Sequence, residues 1–241
     1  MLELLIFTIA TILYFVCKYY ITTDGYIRIL IGAYITIILV SQFFVNVSHL
    51  STLCVGKNNL GTATLVTVIP WFIIFGSVVV LLQAFPGWKQ PFSNTFGYGV
   101  VKLMGINATL TNLLEKSNGV LDTNILNKIY SNPSLLINQF TVTNFDDAVN
   151  KVFKKGFGNG DVDMIKFKKL IQIKDYVSEF VWYILSGFLV TTVSYNTIAT
   201  TGCSNSVSEM KKRHDDYEKD VKEKITATKT TPAPRQYYIR D

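Results

Sequence analysis

The chain is 241 residues long, 49% apolar and 17% charged, with a formal net charge of +6. Soluble domains carry about a quarter charged residues, and here the charge is crowded into two blocks, 85–178 and the stretch after Cys203, each mixing cations with Asp and Glu. An ordinary soluble globular domain is excluded, and the mixed blocks argue against a nucleic-acid surface despite the basic total.

Four apolar stretches, near Leu4 to Cys17, Ile29 to Val47, Leu65 to Phe85 and Phe180 to Ile198, approach the length of about 20 residues that a helix needs to cross a bilayer. Charge placement agrees. No Lys, Arg, Asp or Glu occurs from Ile29 to Ser48, from Asn58 to Trp88 or from Phe180 to Ser208, where one at mid-membrane would cost roughly 2.5 to 3.5 kcal/mol. The first stretch is bounded by Glu3 and Lys18, and an interfacial Glu3 with a snorkelling Lys18 extends it to about 19 residues. It reads as an uncleaved anchor, since Met1-Leu2-Glu3 supplies no basic leader and no small-x-small site precedes Lys18. Tyr19, Tyr20, Trp88, Trp182 and Tyr183 are placed as interface anchors, and Pro70 beside Trp71 predicts a kink inside the third span. Gly32, Ala33, Ser186 and Gly187 read as close-packing positions between helices. No span carries a charge at its middle, which argues against a pump or proton relay.

The resulting division is 1–85, three spans with short loops; 86–175, a small, mainly helical extramembrane domain; 176–203, the fourth span; and 204–241, a charged helix and an extended tail. The fold class is therefore an all-α membrane protein. Within the domain, Pro86-Gly87 signals a turn, and a helix is expected from about Thr95 to Lys116, weakened by Gly97, Gly99 and Gly105. A clearer amphipathic helix spans Phe145 to Lys155. Phe145, Ala148, Val149, Val152 and Phe153 share one arc, Thr143 or Asn144 caps it, and Gly156 ends it. The Gly-rich run from Gly156 to Asp161 lacks the Gly-Lys-Ser/Thr of a phosphate loop and reads as a linker. Lys166, Lys168, Lys169 and Lys174 crowd the approach to the fourth span and, with Trp88 and Trp182, are candidate contacts to anionic headgroups.

In the tail, Val207, Met210, His214, Tyr217, Val221 and Ile225 recur every three or four residues, a narrow stripe on a charged helix. Glu218 with Lys222 and Asp220 with Lys224 support that helix, and Ser206 with Glu209 forms a capping box. From Thr226 onward an extended arm is expected, ending in an aromatic hook. Met210, Tyr217, Val221, Pro232, Pro234, Arg235, Tyr237 and Tyr238 are the candidate partner contacts, on a segment suited to ordering on a binding surface.

Chemistry is sparse. His49 and His214 are isolated, no catalytic or metal-ligating set is recognisable, and no cofactor is expected, so the chain reads as a non-enzyme. Span alternation places Cys54 and Cys203 on one side of the membrane, so a bond between them is topologically allowed, although unpaired or lipidated thiols are the favoured reading. Two glycosylation sequons begin at Asn46 and Asn107, the first too near the bilayer for use. Basic residues near the span ends favour the large loop on the cytoplasmic side.

Three segments carry a likeness. Pro91 to Tyr98, Ile173 to Gly187, and Ser194-Tyr195-Asn196 followed by Cys203 resemble membrane proteins of nucleocytoplasmic large DNA viruses, the chlorella-virus and mimivirus-like group. The resemblance implies a minor capsid protein, anchoring an icosahedral shell to an internal lipid membrane that is made in the host. It implies major and other minor capsid proteins as partners beside the lipid bilayer, with self-association through the spans open and no nucleic-acid partner. A small channel or transporter is the alternative.

Overall fold

The computed structural model describes residues 2–21, 23–54, 60–117, 122–153, 161–200 and 207–229. Among these every regular element is helical. The chain forms two compact units, Met1–Thr200 and Thr201–Asp241.

In the first unit four helices are long and apolar enough to cross a membrane, which makes this an integral membrane protein. α1 spans Leu2–Tyr20 and α2 Asp24–Leu53. The third crossing joins α3 (Leu60–Pro70), a π-helical turn (Trp71–Phe75) and α4 (Gly76–Ala84). The fourth is the inner part of α11 (Val162–Thr200), a helix of 39 residues and about 58 Å at 1.5 Å per residue. Helix α1 has 19 residues, just enough for a hydrocarbon core about 30 Å thick. The four run alternately up and down: Glu3 of α1 meets His49 of α2 at 2.6 Å at one end, while Lys18 of α1 meets Glu179 of α11 at the other.

Large rings fill the bundle. Phe7 lies against Trp71 and Phe75, and the rings of Tyr14, Tyr34 and Tyr183 stack nearly parallel across α1, α2 and α11. Gly187 does serve as a close-packing site, since a Cβ there would lie 2.0 Å from the Phe7 ring. Gly32 and Ala33 do not: both are exposed on α2, and nothing lies within 4 Å of a Cβ built at Gly32.

Several buried polar side chains between the spans bond to one another or to backbone, although the Trp71 indole N–H and the Asn46 side-chain oxygen find no partner among the described residues. Thr11 shares a 2.9 Å bond with Tyr34, Gln42 donates to the Glu3 carbonyl at 3.2 Å, and Asn46 donates to Thr67 at 2.8 Å. That bond and its complete burial remove Asn46 as a glycosylation acceptor. Pro70 explains another pairing. Proline has no N–H, so the Val66 carbonyl four residues earlier loses its helical donor. The Ser194 hydroxyl of α11 donates to that carbonyl at 3.1 Å, and the helix then winds through its π turn.

Outside the bundle, 86–175 builds a second core. A 3₁₀ turn (Pro86–Lys89), α5 (Gln90–Phe92), a second π turn (Ser93–Gly97) and α6 (Tyr98–Leu103) run along the outer part of α11. The helix expected from Thr95 to Lys116 is interrupted, because Gly105 takes φ +88°, a left-handed conformation that stops α6 and lets α7 (Ile106–Lys116) start in a new direction. Then follow α8 (Thr123–Ser131), α9 (Ser134–Ile137) and α10 (Phe145–Val152). Phe140 is the hub, with Phe145, Phe153 and Phe167 at 5.9, 6.4 and 5.1 Å. Leu110, Leu113, Leu114 and Ile171 close around them. Asn144 precedes α10, but its side-chain oxygen accepts from the Thr141 amide at 2.8 Å and caps nothing. Lys154, Lys155 and Gly156 lie outside the described residues.

Asp161 starts α11 by accepting from the amides of Asp163 and Met164 at 2.9 and 3.1 Å, with Lys116 at 3.3 Å. The Met164 amide above all, with Lys116, holds its carboxyl below the usual carboxylate range, and the Asp163 bond above all raises Lys116. The second unit contains α12 (Val207–Lys229), with Lys222 on Glu218 at 3.1 Å and Lys224 on Asp220 at 3.2 Å, as the spacing predicts. The helix continues past Thr226 to Lys229, so the extended arm cannot begin at Thr226.

Two outcomes are expected. Ser194→Ala strands the Val66 carbonyl and costs about 1–3 kcal/mol, and much of that loss vanishes in a Pro70→Ala background, where residue 70 regains its N–H. Chemical unfolding in micelles checks this, and equal losses in both backgrounds would refute it. Because the folded pKa of Asp161 is depressed, its contribution to stability is present above the unfolded carboxylate value near ~4 and is lost as pH falls through the lower folded value. The amide shifts of Asp163 and Met164 should therefore titrate below about pH 4, and a flat profile there would show that the cap contributes nothing.

Candidate functional site

Helical spacing places Lys174, Asp175, Ser178, Glu179 and Trp182 on one side of α11, facing the segment from Trp88 to Gly97. These side chains form a polar joint where the bundle meets the outer domain. Glu179 is buried and accepts from Lys18 of α1 through one oxygen and from Lys89 through the other. The Lys18 ammonium also lies 4.8 Å from the centre of the Tyr176 ring. Ser178 donates to the Lys89 carbonyl at 2.5 Å, and the Trp182 indole donates to the Trp88 carbonyl at 2.9 Å. One helix face thus satisfies two carbonyls of the 3₁₀ turn that leaves the membrane. Asp175 accepts from the Ser93 hydroxyl at 3.0 Å and the Val142 amide at 3.2 Å. At Gly97 a Cβ would lie 2.5 Å from the Lys174 carbonyl, so only glycine allows this approach. The first two segments that carry the sequence resemblance, Pro91 to Tyr98 and Ile173 to Gly187, are the two halves of this joint.

The candidate headgroup contacts divide. Trp88 and Trp182 come together, their ring centres 6.0 Å apart with Phe92 alongside, at the level where α11 leaves the bundle. Lys166 and Lys169 are exposed. Lys168 bonds Asp146 at 3.1 Å and lies over the Phe145 ring at 5.2 Å. Lys174 is a correction: it is 0% exposed and donates to the Ile137 carbonyl at 3.1 Å and to Asn94 at 3.4 Å. Its place on the helix turns it inward, and it cannot reach a headgroup.

Among the tail candidates, Tyr217 is 69% exposed on α12 and Val221 is half-buried. Met210 lies on α12, its side chain outside the description. Pro232, Pro234, Arg235, Tyr237 and Tyr238 lie outside the described residues, as do Ser206 and Cys203. Cys54, buried just after α2, is disulfide-bonded, and Cys17 is a free, exposed thiol. No cluster of three or more His, Cys, Asp or Glu residues able to hold a metal occurs among the described residues.

Sequence reasoning does not join Glu179, Lys18 and Lys89 into a cluster, yet a signal exists. Each stands at the edge of a charge-free run, and alternation of four spans puts all three at the same end of the bundle. Comparison with protein-family models, with curated proteins and with solved structures gives no match for this chain.

Removing one member of a buried ion cluster typically costs about 3–5 kcal/mol, whereas replacing the whole cluster by apolar groups of similar volume is near neutral. Glu179→Gln should therefore be severely destabilising, and a triple variant with Leu at 179 and Met at 18 and 89 should recover most of the loss. Unfolding midpoints in micelles test both, and a triple variant no better than Glu179→Gln would refute this account.

Proposed function

We propose that this protein is a structural component of a viral particle, anchoring an icosahedral capsid shell to the lipid membrane beneath it. The observation that carries the reading is the joint itself, in the two segments that resemble membrane proteins of large DNA viruses. Four spans hold the chain in the bilayer, and a single helix continues from the fourth span into the outer domain. That is the build of a mount. The domain and the tail are then the surfaces offered to major and other minor capsid proteins, with α12 presenting Tyr217 to a partner. In this reading the protein resides in the inner membrane of the virion, takes its lipid from a host intracellular membrane, and catalyses no reaction.

A channel or transporter is the second reading, favoured by the polar side chains inside the bundle. Thr11, Tyr34, Gln42, Asn46, Thr67 and Ser194 are each bonded to another of these side chains or to backbone, which suits helix packing better than conduction. Removing residues 204–241 should abolish co-purification with shell subunits while the remaining chain still inserts in membranes. Particles that assemble normally with the shortened chain would remove the tail from the proposal. Liposomes carrying the purified protein should be no leakier to ions than empty ones, and sustained conductance would favour the alternative.

A further inference from the structure

A cavity of about 320 Å³ opens at the end of the bundle where the joint lies, lined from all four crossings. Its polar wall comprises Lys18, Arg28, Gln83 and Glu179 with Tyr14 and Tyr183, and Ile27, Ile31 and Leu82 supply the apolar side. The charge is unbalanced in a specific way. Both oxygens of Glu179 are taken, one by Lys18 and one by Lys89, so the carboxylate is already matched by two cations. Arg28 adds a third. It is exposed at the rim and has no ion-pair or hydrogen-bond partner among the described residues.

The depth of the cavity sets the source of its ligand. Lys18 lies in the last turn of α1, Arg28 in the first turns of α2, and Gln83 beside the end of α4. Exposed Tyr19, Tyr20, Tyr26 and Trp88 ring the same end, the aromatic girdle expected at a headgroup layer. A cavity at that level, one wall apolar and the other cationic, matches a phospholipid that enters from the side with its phosphate inward. The guanidinium fork of Arg28 suits two phosphate oxygens at once, and Gln83 with the tyrosine hydroxyls can reach polar groups beyond the phosphate.

We infer that this cavity binds the phosphate headgroup of an anionic phospholipid, with Arg28 as the contact that selects charge. The site uses none of the lysines on the outer part of α11, and it stands whether or not the protein belongs to a virion.

The test uses the full chain in nanodiscs of phosphatidylcholine, alone or mixed with phosphatidylglycerol, followed by native mass spectrometry of the lipid retained after transfer to mild detergent. Phosphatidylglycerol should be retained in preference to phosphatidylcholine. Arg28→Gln should lower that retention about five-fold, as expected for the loss of one cation at the headgroup level, and Arg28→Lys should restore part of it. A Lys102→Gln/Lys128→Gln variant, which removes two exposed cations of the outer domain, should retain lipid as the parent does. Equal retention of the two lipids, or no effect of Arg28→Gln in protein that elutes and unfolds like the parent, would overturn the inference. In phosphatidylcholine discs, inorganic phosphate that stabilised the parent against heat but not Arg28→Gln would assign the cavity to a soluble anion and overturn the lipid as its source.

Discussion

The buried carboxylate of Glu179 is the constraint on which the architecture turns. A lone ionised carboxylate at the edge of a bilayer is costly, and the cost falls only where cations approach it closely with good geometry. Here the cations come from two other crossings, Lys18 at the end of α1 and Lys89 just beyond α4. Meeting the charge therefore fixes three chain segments at one level. The apolar helices could slide or rotate against one another at little cost, because lipid tails are as apolar as their side chains. A charge that must be matched removes that freedom.

Around this point the two cores divide the work. Inside the bundle, interlocking rings and a few hydrogen bonds define how the spans pack, and Ser194 completes a helix that Pro70 leaves open. Outside, Phe140 and its neighbours bind short helices to the outer part of α11. Between them, Ser178 and Trp182 satisfy two carbonyls of the connecting turn, and Asp175 ties the Ser93 hydroxyl and the Val142 amide to the same helix. Polar residues hold the boundary where apolar packing of either kind would be weakest.

The four spans are legible in the sequence because a charge-free apolar run of that length suits a bilayer crossing and little else, and the α12 pairs follow from fixed spacing. The break at Gly105 is half visible: glycine weakens a helix, but nothing local shows that the chain will turn left-handed there. Lys174 departs from the sequence reading for a reason that can be stated. Phe167, Leu170, Ile171, Lys174 and Ser178 recur at helical spacing on the buried face of α11, whereas Lys166, Lys168 and Lys169 fall off it. Grouping the four lysines by proximity in sequence hides the one that points inward. The ion cluster is hard to see because its members lie up to 161 positions apart, and only their common level at the membrane edge links them. Helix α9, with four residues, is too short for periodicity to mark, and tertiary contact defines it.

One property of α11 reaches further. It crosses the bilayer edge without a proline or a break, and from Phe180 to Val162 it extends about 27 Å beyond the span. A spanning helix tilts more in a thinner bilayer and stands straighter in a thicker one, within what its neighbours permit, and whatever inclination this one takes is passed undiminished to the domain packed along it. The lever converts a small change in bilayer thickness or curvature into a sideways sweep of the outer face, so the lipid composition beneath becomes a determinant of where that face points.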